Sequence, residues 1–203
     1  QITAGYLLGL LLAQLRQSLP AAQLAELGKE LLRMPARVTK VIEDLDTAKQ
    51  LGRKLADSKS VLFLGRNVGF PVAMEGALKL KELAYIHAEG FAAGELKHGP
   101  IALVDELMPV IVVAPSDELM EKTLSNMQEV AARGGKIILI TDAAGAAAVG
   151  PGVADIILLP KVSSFVAPIL ATIPVQLLAY HVACAKGTDV DQPRNLAKSV
   201  TVE

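Results

Sequence analysis

Residues 61–87, VLFLGRNVGFPVAMEGALKLKELAYIH, decide the fold of this chain. They open with a continuous apolar run from Val61 to Gly65, which is typical of a strand covered on both faces. From Pro71 to His87 apolar and small residues recur around a few charges, a pattern that indicates a helix. The stretch therefore predicts a buried strand that leads into a helix.

The same pattern returns further along the chain. Three more short runs rich in Val, Ile and Leu predict strands: Val110 to Ala114, Ile137 to Thr141 and Ile156 to Pro160. A second helix is predicted over Asp117 to Arg133, capped by Ser116 and ended by Gly134 and Gly135. A further short strand from Ala88 to Phe91 has a weaker pattern. This repetition predicts an α/β fold, a three-layer α/β/α sandwich with a parallel sheet.

Helices and irregular segments flank this core. Helical segments precede the first strand: Ile2 to Ser18, Pro20 to Arg33 and Pro35 to Ala56. The apolar stretch from Phe165 to Ala185 is about long enough to span a bilayer, but Pro168, Pro174 and Gln176 within it favour a buried core helix. The Ala/Gly-rich residues 143–152 predict a loop.

Composition narrows the possible functions. The 203 residues are 52% hydrophobic and 20% charged, which suits one compact domain with additional segments. The formal net charge is −1 without long runs of either sign, so neither nucleic acid nor an anionic membrane is an expected partner. Aromatic residues make up only 3% of the chain, which leaves little material for stacking platforms against bases. A small polar ligand fits this composition better.

Cys184 is the only cysteine of the chain. A single cysteine excludes an internal disulfide and every multi-cysteine metal site, and it is the usual pattern of a reducing cytoplasm. Because Cys184 stands in an apolar helical segment, it is predicted to be a small buried hydrophobe. We expect no metal and no cofactor, and we expect a cytoplasmic protein.

Three charged residues of the first predicted helix fall on one stripe. Glu75, Lys79 and Glu82 are spaced i, i+4 and i+7, so at 3.6 residues per turn they point the same way. One interpretation is an exposed face laced by ion pairs. The other is a proton shuttle, because a carboxylate and an ammonium held on one rigid helix in a partly dry cleft can pass a proton. Most other positions of this helix are apolar or small, which favours the second.

A histidine and a lysine are further candidates. His98 precedes Gly99 and Pro100, a turn that would present its imidazole, and histidine donates and accepts protons near neutral pH. Lys198 lies in the tail, residues 188–203, which is polar and predicted to be irregular. On residue patterns alone, Lys198 is a solvated terminal lysine.

Three strings resemble one enzyme family. They are EGALKLKE (residues 75–82), IHAEGFAAGELKHGP (residues 86–100) and DQPRNLAKSVTVE (residues 191–203). They are similar to the isomerase domain of bacterial glucosamine-6-phosphate synthases, which consists of two sugar-isomerase (SIS) subdomains with a flavodoxin-like sheet between helices. The resemblance extends over the whole chain and is carried by the order of the three strings together.

The resemblance implies a role for each candidate residue. Glu82 would move a proton between C1 and C2 of fructose 6-phosphate, and Lys79 would assist it. His98 would open the sugar ring in the active site of the neighbouring subunit of a homodimer. Lys198 would take part in isomerisation. The implied substrate-binding residues are Glu75, Ala197 and Val200.

The resemblance also implies a division of the chain. Residues 1–50 would be a helical segment linking from a first SIS subdomain, residues 51–187 the second SIS subdomain, and residues 188–203 an active-site tail. The first SIS subdomain and a glutamine-hydrolysing domain would belong to missing parts. We therefore expect the isolated chain to have little or no isomerase activity.

Two positions differ from the family pattern. Asn67 stands where relatives commonly have glycine, and asparagine tolerates a left-handed backbone, so little change is expected there. The phosphate sites of SIS domains use a loop rich in serine and threonine that leads into a helix N-terminus. After the second apolar run this chain has Pro115, Ser116 and Asp117, and an aspartate would repel a phosphate.

Two other classes of function remain open at this stage. The chain could be a sugar-phosphate-binding regulator, although such a protein would have no use for a lysine-bearing tail over the sugar. It could also be a purely structural SIS dimerisation module. Substitution of Glu82 or Lys198 in a full-length enzyme discriminates these from the catalytic interpretation.

Overall fold

The computed structural model describes residues 1–43 and 46–195. At the centre of this part lies a five-stranded sheet whose neighbouring strands are all parallel. The strands are β1 (Ser60–Gly65), β2 (His87–Ala92), β3 (Pro109–Val113), β4 (Lys136–Asp142) and β5 (Val153–Leu159). Their order across the sheet is β2-β1-β3-β4-β5, the order of flavodoxin-like folds. The predicted parallel sheet is confirmed, and the weakest predicted strand is an edge strand of it.

Helices precede the sheet and cover both of its faces. They are α1 (Ile2–Leu15), α2 (Ala21–Leu32), α3 (Met34–Glu43), α4 (Asp46–Leu55), α5 (Gly69–Ala84), α6 (Met120–Ala131), α7 (Ala143–Ala148) and α8 (Ala167–Lys186). Short 3-10 helices cover Ala93–His98 and Pro100–Leu103. The three-layer sandwich preceded by helices is therefore confirmed.

Strand β1 shows why the apolar runs are continuous rather than alternating. Phe63 packs in a core cluster with Leu80 of α5 and Leu178 of α8. Its neighbour Leu64 packs in the cluster on the opposite face with Met127 of α6. Both faces of the strand are buried, so both sets of side chains must be apolar.

Helix α8 is a core helix. Within the described residues it alone has the length and apolar composition that a membrane span requires. Leu170, Val175, Leu178 and Val182 are each at most 1% exposed, and the helix packs against α4 and α5. The prediction of a buried core helix is confirmed, because the apolar side chains of α8 pack against other helices of the protein.

The prediction for Cys184 is wrong. Its side chain is exposed on the outer face of α8, one turn after Tyr180, which is 45% exposed. A helix that is apolar almost all round does not reveal from its sequence which narrow face looks outward.

Two local predictions around the ends of β3 and β4 are also wrong. Helix α6 begins at Met120 rather than at Asp117, and Ser116 does not cap it. The predicted loop at 143–152 instead begins with α7, whose first turn is capped by the Asp142 carboxylate. An aspartate directly before a run of alanines is a capping signal that the Ala/Gly composition obscured.

Asp142 is a buried anchor at the carboxyl edge of the sheet. It is 6% exposed, and its carboxylate accepts hydrogen bonds from the Ser116 hydroxyl at 2.6 Å and from the backbone N–H groups of Ala144 and Gly145 at 3.1 Å. Burial opposes its ionisation, but the hydrogen bonds from Ser116 and from the two backbone donors outweigh burial and hold its pKa below the ordinary value of 3.8.

We expect Asp142→Ala to lower the free energy of unfolding by about 2 kcal/mol at pH 7, because it removes a helix cap and leaves buried donors unpaired. The folded-state pKa is the lower one, so the stabilisation is present above 3.8 and is lost as the pH falls through the folded pKa. Urea unfolding from pH 7 to pH 2.5 checks this. Asp57→Ala, at an exposed position, is the control. If the loss of stability in Asp142→Ala is the same at every pH, Asp142 does not stabilise the fold through its ionised carboxylate.

Candidate active site

Helix α5 carries the predicted stripe across one face of the sheet. It starts at the carboxyl edge, just after β1, through a turn in which Asn67 has a φ of 47°. The expectation that asparagine accepts a left-handed backbone there is confirmed. Its 16 residues span about 24 Å, so its last turn reaches the amino edge of the sheet. The helix ends at Ala84 rather than at the predicted His87, because His87 already belongs to β2.

The stripe forms a chain of three charges. The Lys79 ammonium lies 2.5 Å from a Glu82 carboxylate oxygen and 4.0 Å from one of Glu75. The side chains of Glu75, Lys79 and Glu82 are 32%, 29% and 25% exposed. They are thus neither fully solvated, as ion pairs on an ordinary helix surface are, nor sealed in the core. An ammonium and a carboxylate are held together at the protein surface, partly shielded from solvent.

Two cavities border this stripe. One of about 920 Å³ lies between α1, α5 and α8, and Glu75 and Lys79 line it together with Tyr6 and Gln176. The other, of about 560 Å³, lies at the end of α5 beside Glu82. Both volumes are in the range of small-molecule sites, and both are lined by apolar as well as polar side chains.

His98 lies elsewhere in the same chain. It ends the 3-10 helix that follows β2, at the carboxyl edge of the sheet, whereas Glu82 lies near the amino edge. Its imidazole is 73% exposed, and Nδ1 is 2.7 Å from a Glu95 carboxylate oxygen. Buried Leu96 and an ion pair of 3.0 Å between Lys97 and Glu129 of α6 fix the segment. A single copy of the chain therefore does not bring His98 to Glu82.

The loop after β3 forms hydrogen bonds with a carboxylate of the protein itself. The Ser116 hydroxyl donates to Asp142, and Asp117 accepts from the backbone N–H of Leu119 at 2.8 Å. These carboxylates stand at the carboxyl ends of the strands, where open α/β sheets commonly bind anionic ligands. A phosphate bound at the loop after β3 would be repelled by these two carboxylates.

The tail candidates fall partly outside the described structure. Ala197, Lys198 and Val200 lie outside residues 1–43 and 46–195. The tail is described up to Asn195, and there Arg194 rests on Tyr85, which directly follows α5. Sequence reasoning missed this contact, since 109 residues separate the two and no spacing rule connects them.

Metal ligation was not expected from the sequence. In the described ranges, no group of three His, Cys, Asp or Glu side chains is arranged to hold a metal ion.

The fold and the comparisons with known proteins define the class. The SIS domain model matches residues 54–186, and the chain belongs to the SIS domain family. The match begins in α4 and ends with α8, so it contains the whole sheet and the stripe on α5.

Particular relatives are closer still. The chain is 56% identical over its full length to the glutamine–fructose-6-phosphate aminotransferase (isomerizing) of Leifsonia xyli, and covers 33% of that protein. The corresponding enzyme of Bartonella henselae is 61% identical over 86% of the chain, which covers 29% of it. The chain thus spans about a third of the length of these relatives.

A solved structure agrees with these relatives. The C-terminal domain of glucosamine-fructose-6-phosphate aminotransferase from Francisella tularensis superposes with a TM-score of 0.87 at 49% identity. The superposition covers 91% of this chain and 52% of the other. The sequence resemblance to this enzyme family is confirmed.

Proposed function

We propose that this chain is the sugar-isomerising portion of a glutamine–fructose-6-phosphate aminotransferase, which converts fructose 6-phosphate and ammonia into glucosamine 6-phosphate. One observation carries the proposal. Glu82, paired with the half-buried Lys79, borders a surface cavity of about 560 Å³ in a chain that is 56% identical throughout its length to such an enzyme.

The residues of the stripe suit the isomerisation step. After ammonia has formed an iminium at C2 of the open-chain ketose with loss of water, the Glu82 carboxylate takes a proton from C1. The C–H electron pair becomes the C1–C2 double bond of an enolamine, and the iminium nitrogen becomes an amine. Glu82 then returns the proton to C2 while the C1 hydroxyl loses its own proton, which forms the aldehyde of the aldose. Lys79, 2.5 Å from Glu82, would hold the carboxylate oriented and assist the transfer. Glu75, one turn earlier, would bind sugar hydroxyls.

The other two candidate groups would come from outside this cavity. His98 would serve ring opening, which needs a proton donor and acceptor, and Lys198 would act at the carbonyl end of the sugar. Because His98 lies at the opposite edge of the sheet from Glu82, a second copy of the chain would have to supply it. A homodimer is therefore part of the proposal. Ala197 and Val200 would close the tail over the sugar.

Under the proposed domain division, this chain contains only part of the active site. Residues 1–50 would lead from a first SIS subdomain, residues 51–187 would form the second, and residues 188–203 the tail. The phosphate of the substrate would bind the first subdomain, since the loop after β3 is occupied by the Asp142 carboxylate. A cytoplasmic location fits a protein whose one cysteine is an exposed thiol.

Two proteins test the proposal together. The first is the isolated chain, which we expect to form little or no glucosamine 6-phosphate from fructose 6-phosphate and ammonia. The second is a chimera, the Leifsonia xyli aminotransferase with its aligned third replaced by this sequence. We expect the chimera to form the product at a rate within about tenfold of the parent.

The controls separate misfolding from a wrong assignment. A circular dichroism spectrum and an elution volume equal to those of the parent show whether the chimera is folded and assembled. An assembled chimera without isomerisation contradicts the proposed function. Turnover by the isolated chain at the level of the parent contradicts the proposed division of the site.

A further inference from the structure

Tyr85 has a left-handed backbone conformation, which glycine adopts more readily than tyrosine. It follows the last residue of α5 with φ 54° and ψ 32°, the left-handed position at which helices commonly place glycine. A side chain at this position strains the backbone. The ring is half-buried and makes two contacts with one residue of the tail.

Both contacts are to Arg194. The Tyr85 hydroxyl accepts a hydrogen bond of 2.8 Å from the Arg194 backbone N–H, and the Arg194 guanidinium carbon lies 4.2 Å from the centre of the Tyr85 ring. The first contact holds the backbone of the tail, and the second is a cation–π contact with its side chain. Tyr85 therefore holds the tail through both the backbone and the side chain of Arg194.

The start of the tail is tied to the same turn of α5. The Thr188 hydroxyl donates to the backbone carbonyl of Leu83 at 2.7 Å. The Asp189 carboxylate then accepts from the backbone N–H groups of Asp191 and Gln192 at 2.9 and 3.0 Å, which turns the chain. From residue 188 to residue 194 the tail thus crosses the end of the helix that carries Glu82.

We propose that Tyr85 is a positioning residue, which anchors the root of the tail through Arg194 beside Glu82. Tyr85, Arg194 and Glu82 line the same cavity of about 560 Å³. Lys198 follows Arg194 by four residues, a distance of at most about 14 Å along an extended chain. The anchor therefore limits the distance between Lys198 and the Glu82 carboxylate. The consequence for catalysis rests on the proposed function, whereas the anchor itself does not.

Limited digestion of the 203-residue chain with an arginine-specific protease tests the anchor directly, because such a protease does not cut after Lys198. Cleavage after Arg194 requires its side chain to leave the Tyr85 ring, so release of the peptide 195–203 reports the open population. We expect release to rise about threefold in Tyr85→Phe, which keeps the ring and loses the acceptor. In Tyr85→Gly, which loses both contacts and also relieves the backbone strain, we expect a rise of about tenfold or more.

Two controls accompany the digestion. Cleavage after Arg16, which is exposed at the end of α1, should keep its rate in the same reaction tube and shows that the protease is equally active on each variant. An unchanged circular dichroism spectrum shows that the fold is intact. Gln192→Ala alters the side chain of the same tail segment and keeps its backbone hydrogen bond, so release should not change. Unchanged release from Tyr85→Gly overturns the proposal.

Steady-state kinetics in the active chimera test the link to catalysis. We expect Tyr85→Gly to lower kcat for isomerisation about tenfold and to leave KM for fructose 6-phosphate within about twofold, with most of kcat restored in Tyr85→Phe. If Tyr85→Gly keeps full kcat while Glu82→Gln abolishes turnover, the positioning role is wrong and the proposed function stands. If Glu82→Gln keeps full turnover, the proposed function is wrong, and the digestion still decides the anchor.

Discussion

Replacing Glu82 by Gln in the chimera is expected to lower kcat for isomerisation by a factor of about a hundred to ten thousand, the range that a positioned base contributes. The amide keeps the size of the side chain and can still accept a hydrogen bond from the Lys79 ammonium, which is now 2.5 Å from the carboxylate. It cannot take a proton from C1 of the sugar. KM for fructose 6-phosphate should therefore change little, since a transition-state interaction is removed rather than ground-state binding.

The matched control is Glu121→Gln, an exposed glutamate in the first turn of α6. It removes the same charge from the other side of the molecule, so isomerisation should remain at the level of the unchanged chimera. If Glu82→Gln also remains at that level, the stripe is a structural ion pair. The chain would then be a dimerisation or sugar-phosphate-binding module of the SIS family.

Gly65→Ala is expected to cost about 3 kcal/mol or more of the free energy of unfolding, at the upper end of the range for overpacking. A Cβ on Gly65 would lie 2.2 Å from the carbonyl oxygen of Gly69 and 2.6 Å from the backbone nitrogen of Phe70. These are backbone atoms at the start of α5, so no side chain can rotate away. Relief requires the helix to move from the sheet, and the stripe that it carries would move with it.

Urea unfolding of the isolated chain, followed by circular dichroism, measures this loss. Gly9→Ala is the control, because a Cβ on Gly9 of α1 meets nothing within 4 Å. There alanine should stabilise the helix by up to about 1 kcal/mol through its higher propensity. Equal stability of Gly65→Ala and the unchanged chain contradicts the close approach of α5 to β1.

Parts of the fold were predictable because they depend on neighbouring residues. The run from Val61 to Gly65 predicts a doubly buried strand wherever it packs, and the spacing of Glu75, Lys79 and Glu82 places them on one face of any helix. The short α7 was missed because its capping aspartate belongs to the preceding strand. The exposure of Cys184 was missed because a nearly uniform apolar helix hides its outward face.

The candidate site was likewise predictable only in part. The charged stripe came from spacing, and its half-buried setting beside a cavity came from the packing of α1 and α8 against α5. The phosphate argument named Ser116 and Asp117, yet the carboxylate that takes the Ser116 hydroxyl is Asp142, from the next strand. Lys198 remains a prediction from resemblance.

The sequence by itself determined the parallel α/β sandwich, its family and the stripe on α5, because hydrophobic pattern and helical period act through near neighbours along the chain. Only the tertiary structure decided that His98 and Glu82 lie at opposite edges of the sheet and that Arg194 rests on Tyr85. Such pairs are set by the direction in which each element crosses the sheet and by the order of the strands. Contacts between residues 109 positions apart follow from that arrangement and from no local pattern.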